Sequence, residues 1–403
     1  MKSTRSPIAF AALMLLAGGW YVAGATPERR FQGALRSLRA SDAENVQYQI
    51  LAVAPREESQ ARASLLRGWL MLEATKADEP GRNAAVMDEL GDAADDEQHR
   101  ALALALMGRV RYEEGKLADA LVLLDRSLQL DRDEVEAHRW LGIALYDIGL
   151  ARPAVFHLEE VARQEPWNGR PHHLMGIIHR ERAVVSGEAL AFEDAAAAFK
   201  ESLARDPQQP NADEIRIELG RCYFYRNEFD QALEAVRPCF DAPESLVLRA
   251  ECYYGKGDVD RANQCVDLAL EQNPDDSRAL SVKATIATKG RDFQQAATLL
   301  ARAVQGKPSD YDLRYKLFSA YQHIGENEKA AEQAEEMEKL RGMYSELQVL
   351  TARASADLSD ADIRYRLAEL ATRLDMRESA ESWLKAAKML DSPDLRRRLA
   401  QGF

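Results

Sequence analysis

Gly108, Gly142 and Gly176 stand 34 residues apart, and this interval constrains the chain more than any other feature. Eight alanines keep nearly the same interval. Ala120, Ala154, Ala195, Ala232, Ala262, Ala296, Ala330 and Ala380 are separated by 34, 41, 37, 30, 34, 34 and 50 residues. Pro166, Pro207, Pro274 and Pro308 each fall 12 residues after one of these alanines. A unit of this size is too small to bury its own apolar surface, so neighbouring units must cover one another.

One unit, residues 101–131, shows the physics. Leu104, Met107 and Gly108 form one apolar set; Leu117, Ala120, Leu121, Leu124 and Leu128 form a second. Spacings of three and four place each set on one helical face. Gly115 lies between them and breaks the segment into an antiparallel helix pair. The small residues Gly108, Ala120 and Ser127 let the helices approach closely, and the periodic proline stops the second helix. Composition agrees: 46% apolar and 30% charged residues describe a folded chain, and 7% aromatics beside abundant alanine favour helix over sheet.

These markers resemble the tetratricopeptide repeat, whose signature runs W-x2-L-G-x2-Y, then A-x3-F, then P. Its pieces appear as Leu141 and Gly142 with Ala154, Leu158 and Pro166, and as Leu219, Gly220 and Tyr223 with Ala232 and Val236. They recur as Ala195, Phe199 and Pro207, and as Tyr253, Ala262, Val266 and Pro274. Further copies hold Ala296, Leu300 and Pro308, then Leu317, Tyr321 and Ala330, and lastly Leu367, Ala380 and Leu384. The resemblance implies an all-α fold, a right-handed α-solenoid of stacked antiparallel helix pairs, and a role in binding other proteins.

Departures from the period mark the expected organisation. Residues 28–100 read as degenerate repeats, with Ala43, Ile50, Pro55 and Gly68 as remnants. Residues 101–340 form the main array of about seven repeats. Seven extra residues separate Gly176 from Ala195, an insertion near 182–192 that reads as a longer inter-helix loop or a partner-contacting lip. The 50-residue interval from Ala330 to Ala380 leaves room for an extra helix or linker at 341–360. Residues 361–403 hold the last repeat and a capping helix.

The N-terminus has a different character. Lys2 and Arg5 precede an uncharged run that ends at Glu28, Arg29 and Arg30. Its core, 8–25, spans about 27 Å as a helix, slightly short of the hydrocarbon layer. Ala23 and Ala25 form an A-x-A cleavage site, while Trp20 and Tyr21 suit a membrane interface. Residues 1–27 therefore fit a cleaved signal peptide or a single membrane anchor. In both cases the rest is expected to be exported across the inner membrane, to a periplasmic or other extracytoplasmic location, and to meet the membrane only through this segment.

No catalytic chemistry emerges. The chain contains no GxxxxGK[ST], HExxH, GxSxG or CxxC, and a tail at 393–403 is too short for a catalytic domain. The expectation is a protein that is not an enzyme and has no cofactor. His172, His173 and His179 invite a metal hypothesis, but His172 and His179 occupy the positions the repeat fills with Trp and Tyr, which reads as core. Cys222, Cys239, Cys252 and Cys265 match no zinc spacing. Buried free thiols fit them, as does a disulfide between Cys239 and Cys252 in an oxidising compartment. A net charge of −13 opposes a general nucleic-acid surface.

The remaining candidate is the concave face lined by the first helix of each pair. Its expected stripe is Arg109 and Tyr112, then Arg139, Ile143 and Tyr146, then Arg170, His173 and Ile177. It continues through Arg221, Phe224 and Tyr225, then Glu251 and Tyr254, then Tyr315 and Tyr365. Tyrosine and arginine are favoured contact residues, and such a groove suits a protein or an extended peptide segment. The stripe lacks the Lys and Asn set by which the family's best-known clamp holds C-terminal carboxylates. The sequence thus points to a membrane-tethered scaffold of the cell envelope, with a chaperone for secreted clients or an accessory subunit of an envelope enzyme as alternatives.

Overall fold

The computed structural model describes residues 31–35, 38, 60–74, 79–186, 191–239, 241–357 and 360–391. The leader at 8–25, the remnants Ala43, Ile50 and Pro55, and the tail at 393–403 lie outside them. Among the described residues there is no strand, and no helix is long and apolar enough to cross a membrane. The chain is an all-α array of helix pairs that divides into two compact units between Leu141 and Gly142.

The first unit holds α1 Gln60–Ala74, α2 Arg82–Ala94, α3 Arg100–Glu113 and α4 Leu117–Leu130, and α5 Val135–Asp147 begins in it. The second continues with α6 Ala151–Gln164, α7 Arg170–Ser186, α8 Ala191–Arg205, α9 Ala212–Tyr225 and α10 Phe229–Ala235. After a short 3₁₀ turn come α11 Pro243–Gly255, α12 Val259–Gln272, α13 Ser277–Lys289 and α14 Phe293–Gly306. The last elements are α15 Tyr311–Ile324, α16 Asn327–Ala356, α17 Ala361–Arg373 and α18 Arg377–Leu390.

The periodic residues fall where packing is tightest. A Cβ added at Gly108 would lie 2.7 Å from Leu124 Cγ, and one at Gly176 would lie 2.6 Å from the Phe199 ring. No side chain fits there, so α3 meets α4, and α7 meets α8, only through glycine. The periodic alanines from Ala120 to Ala296 are fully buried. Gly115 closes the α3–α4 turn at φ +75°, a conformation glycine adopts without strain. Pro166, Pro207, Pro274 and Pro308 each stand two residues past the end of α6, α8, α12 and α14.

Covering of one pair by the next is explicit in the core. Leu280 and Ala284 from α13, Ala296, Leu300 and Val304 from α14, and Leu313 and Leu317 from α15 form a single cluster. Each fully buried leucine stabilises by about 1.5–3 kcal/mol, so the third helix completes what the pair leaves uncovered. Helix starts are held by aspartates: Asp258, Asp276, Asp292, Asp310 and Asp360 each accept the backbone N–H three residues on. Such caps contribute about 1 kcal/mol each.

The two departures from the period resolve into helix. α16 has 30 residues where α14 has 14, so all 16 surplus residues extend one helix rather than forming a separate element at 341–360. Nothing in that stretch stops a helix: it has no proline, and Gly342 remains helical. The buried Arg364 then ties off the junction. It donates to the carbonyls of Ala354 at 3.1 Å and Asp357 at 3.2 Å at the end of α16, and to that of Asp360 at 2.8 Å at the start of α17, satisfying acceptors that the helix end leaves without an intrahelical partner. The insertion near 182–192 partly lengthens α7 to 17 residues against 14 in α9, and 187–190 lie outside the described residues.

Within the second unit α18 also reaches back to the α5–α6 turn. Lys385 Nζ pairs with Asp147 Oδ2, Ser382 Oγ donates to the Asp147 carbonyl at 3.5 Å, and the Trp383 ring faces Gly149.

The contact geometry gives substitutions of opposite sign. Gly108→Ala is expected to destabilise the first unit by about 1–3 kcal/mol through overpacking against Leu124. Gly91→Ala in α2, where an added Cβ meets nothing within 4 Å, should stabilise it by about 0.4–1 kcal/mol. Denaturant midpoints of the helical circular-dichroism signal measure both.

Candidate partner-binding face

The stripe residues of the first unit are joined into an ion network. Arg109 on α3 donates through Nε to Glu113 at 2.8 Å and through Nη1 to Glu73 on α1. Its guanidinium lies 5.0 Å over the Trp140 ring. Glu113 also receives Arg82, at 2.6 Å. Burial pushes the Arg109 guanidinium down, and the Glu73 and Glu113 carboxylates more than reverse it, so the group remains firmly charged. Tyr112 packs against Trp140 with ring centroids 5.5 Å apart, and Arg139 turns along its own helix to Glu136. All three stripe side chains, Arg109, Tyr112 and Arg139, are committed to the unit's own packing.

The second unit repeats this arrangement at the period of the sequence. Tyr146 on α5 donates to Glu181 on α7 at 2.8 Å, and Arg180 on α7 pairs with Glu218 on α9 at 2.5 Å. Arg221 adds a second contact to Glu218 at 2.7 Å. Glu251 on α11 receives both arms of Arg278 on α13, at 2.9 and 2.6 Å, and Lys316 on α15 reaches Ser281 on α13 at 3.3 Å. Burial followed by the Glu181 charge raises the Tyr146 phenol well above its ordinary range, so it stays protonated and donates. Two-point pairing of this kind is the strongest arginine–carboxylate geometry.

The expected stripe holds one member of the Arg109–Glu73, Tyr146–Glu181, Arg221–Glu218 and Arg278–Glu251 contacts, and neither member of the Arg180–Glu218 pair. Glu73, Arg180, Glu181, Glu218 and Arg278 were absent from the stripe, although each lies 27–38 residues from its partner. An opposite charge about one period away on the same helical face was the signal available.

Between these ties the wall presents aromatic rings. Tyr225 is 49% exposed and stacks on Phe192, with centroids 4.7 Å apart and planes 20° apart. Phe224 meets it edge-on at 5.7 Å. Tyr254 is half-buried beneath Lys289 Nζ at 5.1 Å, and Tyr315 is 54% exposed. Tyr365 is exposed and donates to Asp391 at 2.7 Å. Arg170 is exposed, Ile143 is half-buried, and Ile177 packs against the cluster that contains Phe199.

The histidines do not gather into a metal centre. His173 Nδ1 lies 3.1 Å from Asn211 Nδ2, and its ring packs near Phe199. His172, His173 and His179 are half-buried, and burial lowers all three below the ordinary histidine range. Among the described residues no group of three or more His, Cys, Asp or Glu is placed to hold a metal. The four cysteines are free and buried. Cys239 and Cys252 share one apolar cluster, where Cys239 Sγ donates to the Val236 carbonyl at 3.4 Å rather than forming a bridge. Burial pushes the Cys222 and Cys252 thiols up to about 12.

Comparison with known proteins agrees with this architecture. A family model described as TPR repeat matches residues 108–149, and one described as Tetratricopeptide repeat matches 188–237 and 247–311. Cellulose synthase operon protein C of Pseudomonas fluorescens is 25% identical over 279 residues, 66% of this chain and 21% of that protein. The formate-dependent nitrite reductase complex bifunctional subunit NrfFG of Haemophilus influenzae is 31% identical over 112 residues, 26% of this chain and 29% of that protein. The chain thus spans under a third of either relative. Among solved structures, YrrB, titled a TPR protein with an unusual peptide-binding site, aligns at 18% identity and TM-score 0.42. It covers 48% of this chain and 97% of its own. PilF of Pseudomonas aeruginosa aligns at 18% identity and TM-score 0.42, covering 57% and 99%.

The buried histidines of α7 set a pH dependence. A histidine held below its unfolded pKa of 6.5 leaves stability intact above that value, because both states are then neutral. As pH falls below 6.5 the unfolded chain takes up protons first, and stability declines. The denaturant midpoint is therefore expected to be lower at pH 5.5 than at pH 7.5, and His172→Gln, His173→Gln and His179→Gln combined should flatten the difference.

Proposed function

We propose that this chain of tetratricopeptide repeats is a scaffold that holds a protein or extended peptide segment on the inner face of its second unit. The observation that carries the reading is the pairing of charge along the first helices. Arginine and glutamate satisfy one another from α7 to α13, and the most exposed aromatic rings of the stripe are those of Tyr225 and Tyr315. Exposed tyrosines combine large contact area with a polar end and few rotatable bonds, the qualities of an interface hot spot. A wall whose charges are already matched favours an extended segment that supplies backbone hydrogen bonds and apolar side chains over a strongly charged ligand.

The finer reading concerns location and organisation. The uncharged run behind Lys2 and Arg5 supports export, with residues 8–25 as a tether or a cleaved leader. The scaffold would then work in the cell envelope, with degenerate repeats at 28–100 preceding the main array. A second reading, an accessory subunit of an envelope enzyme, draws support from one relative being named as a subunit of a reductase complex. A chaperone role would appear instead as weak capture of many unfolded chains.

Crosslinking capture with the full chain tests the groove. Tyr225→Ala combined with Tyr315→Ala is expected to reduce recovery of the partner about tenfold or more, the scale of a hot-spot loss. Phe156→Ala, an exposed ring on the second helix α6, should leave recovery unchanged. Equal capture by wild type and the double variant overturns the assignment. Membrane fractionation with N-terminal sequencing separates tether from leader: an intact N-terminus in the membrane fraction identifies a tether.

A further inference from the structure

We propose that α18 is a latch that closes the second unit into a ring, so that sideways entry of a partner to the inner face waits on the latch opening. The gating part rests on the inner-face reading above; the closure does not. In a repeat array each pair needs contact only with its neighbours. Here Lys385 and Asp147, 238 residues apart in sequence, form an ion pair. Ser382 donates to the Asp147 carbonyl beside it, and the Trp383 ring faces Gly149 at the turn.

The seam differs in kind from the interfaces between neighbours. Those bury whole apolar stripes, as in the α13–α14–α15 cluster. Among the described residues the seam includes an ion pair, a long hydrogen bond and a ring contact. The Lys385 side chain is 41% exposed and that of Asp147 20%, so solvent and salt screen the pair. Trp383 is anchored on its other side in the cluster formed by α16 and α17, so it travels with the last repeat when the seam parts. Few buried apolar contacts and exposed polar ones mark the place where an array opens first. An extended chain end can thread a closed ring, whereas a folded partner or an internal loop requires the seam to open.

The full chain carries its own means of testing this, because the four native cysteines are buried and leave engineered surface thiols to be labelled selectively. Arg152→Cys on α6 and Glu381→Cys on α18, both exposed positions, take a pair of spin labels. At low salt a single short distance is expected. Lys385→Glu should shift it to longer, broader values; Asp147→Lys in the same chain should restore it. Salt near 1 M, where the Debye length is about 3 Å, should act in the same direction as the single reversal.

Access is read separately, with Tyr315→Cys and a bulky maleimide–polyethylene glycol. Labelling is expected to be about threefold or more faster when Lys385→Glu opens the ring. An unchanged distance in the single reversal overturns the latch, and equal labelling rates overturn the gate. If the distances respond while capture ignores Tyr225 and Tyr315, the groove reading fails and the ring closure stands.

Discussion

Each helix pair in this chain has an apolar stripe that it cannot cover, and its neighbour covers it. Every other property depends on that arrangement. It requires the first and second helices to approach until no side chain fits between them, as at Gly108 against Leu124 and Gly176 against Phe199. It also requires the chain to reverse at fixed intervals, which the αL glycine of the α3–α4 turn and the prolines two residues past α6, α8, α12 and α14 enforce. The same stacking brings the first helices of successive pairs alongside one another, and so defines a wall.

Once that wall exists, its charges meet at the period of the array. Glu218 takes Arg180 from the preceding first helix and Arg221 from its own, while Arg278 grips Glu251 with both arms. Matched pairs that are partly withdrawn from water are costly to disturb, because removing one partner leaves the other desolvated and unpaired. The ladder therefore stiffens the wall and removes charge from it, leaving tyrosine rings as the groups with contact area to offer. This is the physical basis for reading the second unit as a holder of extended segments.

The ends of the second unit obey different physics from its middle. Stacking interfaces are apolar and extensive, whereas the meeting of α18 with the α5–α6 turn rests, among the described residues, on a partly exposed ion pair, a long hydrogen bond and the Trp383 ring. α16 contributes to that meeting: sixteen residues beyond the usual length carry the chain to the buried Arg364, which closes off its last carbonyls. The lengthened helix changes where the final pair sits, and with it which surfaces come together.

The sequence by itself determined the helix pairs of the main array and their core. Glycine, alanine and proline recur at the period because local sterics and helix termination act within one unit, and such effects are legible residue by residue. One member of several inner-wall contacts was legible as well: Arg109, Tyr146, Arg221 and Glu251 were on the stripe, whereas neither member of the Arg180–Glu218 pair was. The remaining partners were not, because an ion pair between first helices depends on the rotation from one repeat to the next, which no single unit encodes. The sixteen residues beyond one period after Ala330 were visible, but their merger into one helix was decided by the absence of any stop signal and by Arg364 at the far end. Only the tertiary structure could decide that Lys385 meets Asp147, since that contact sums small rotations over many stacked pairs, a quantity set by packing rather than by any local pattern.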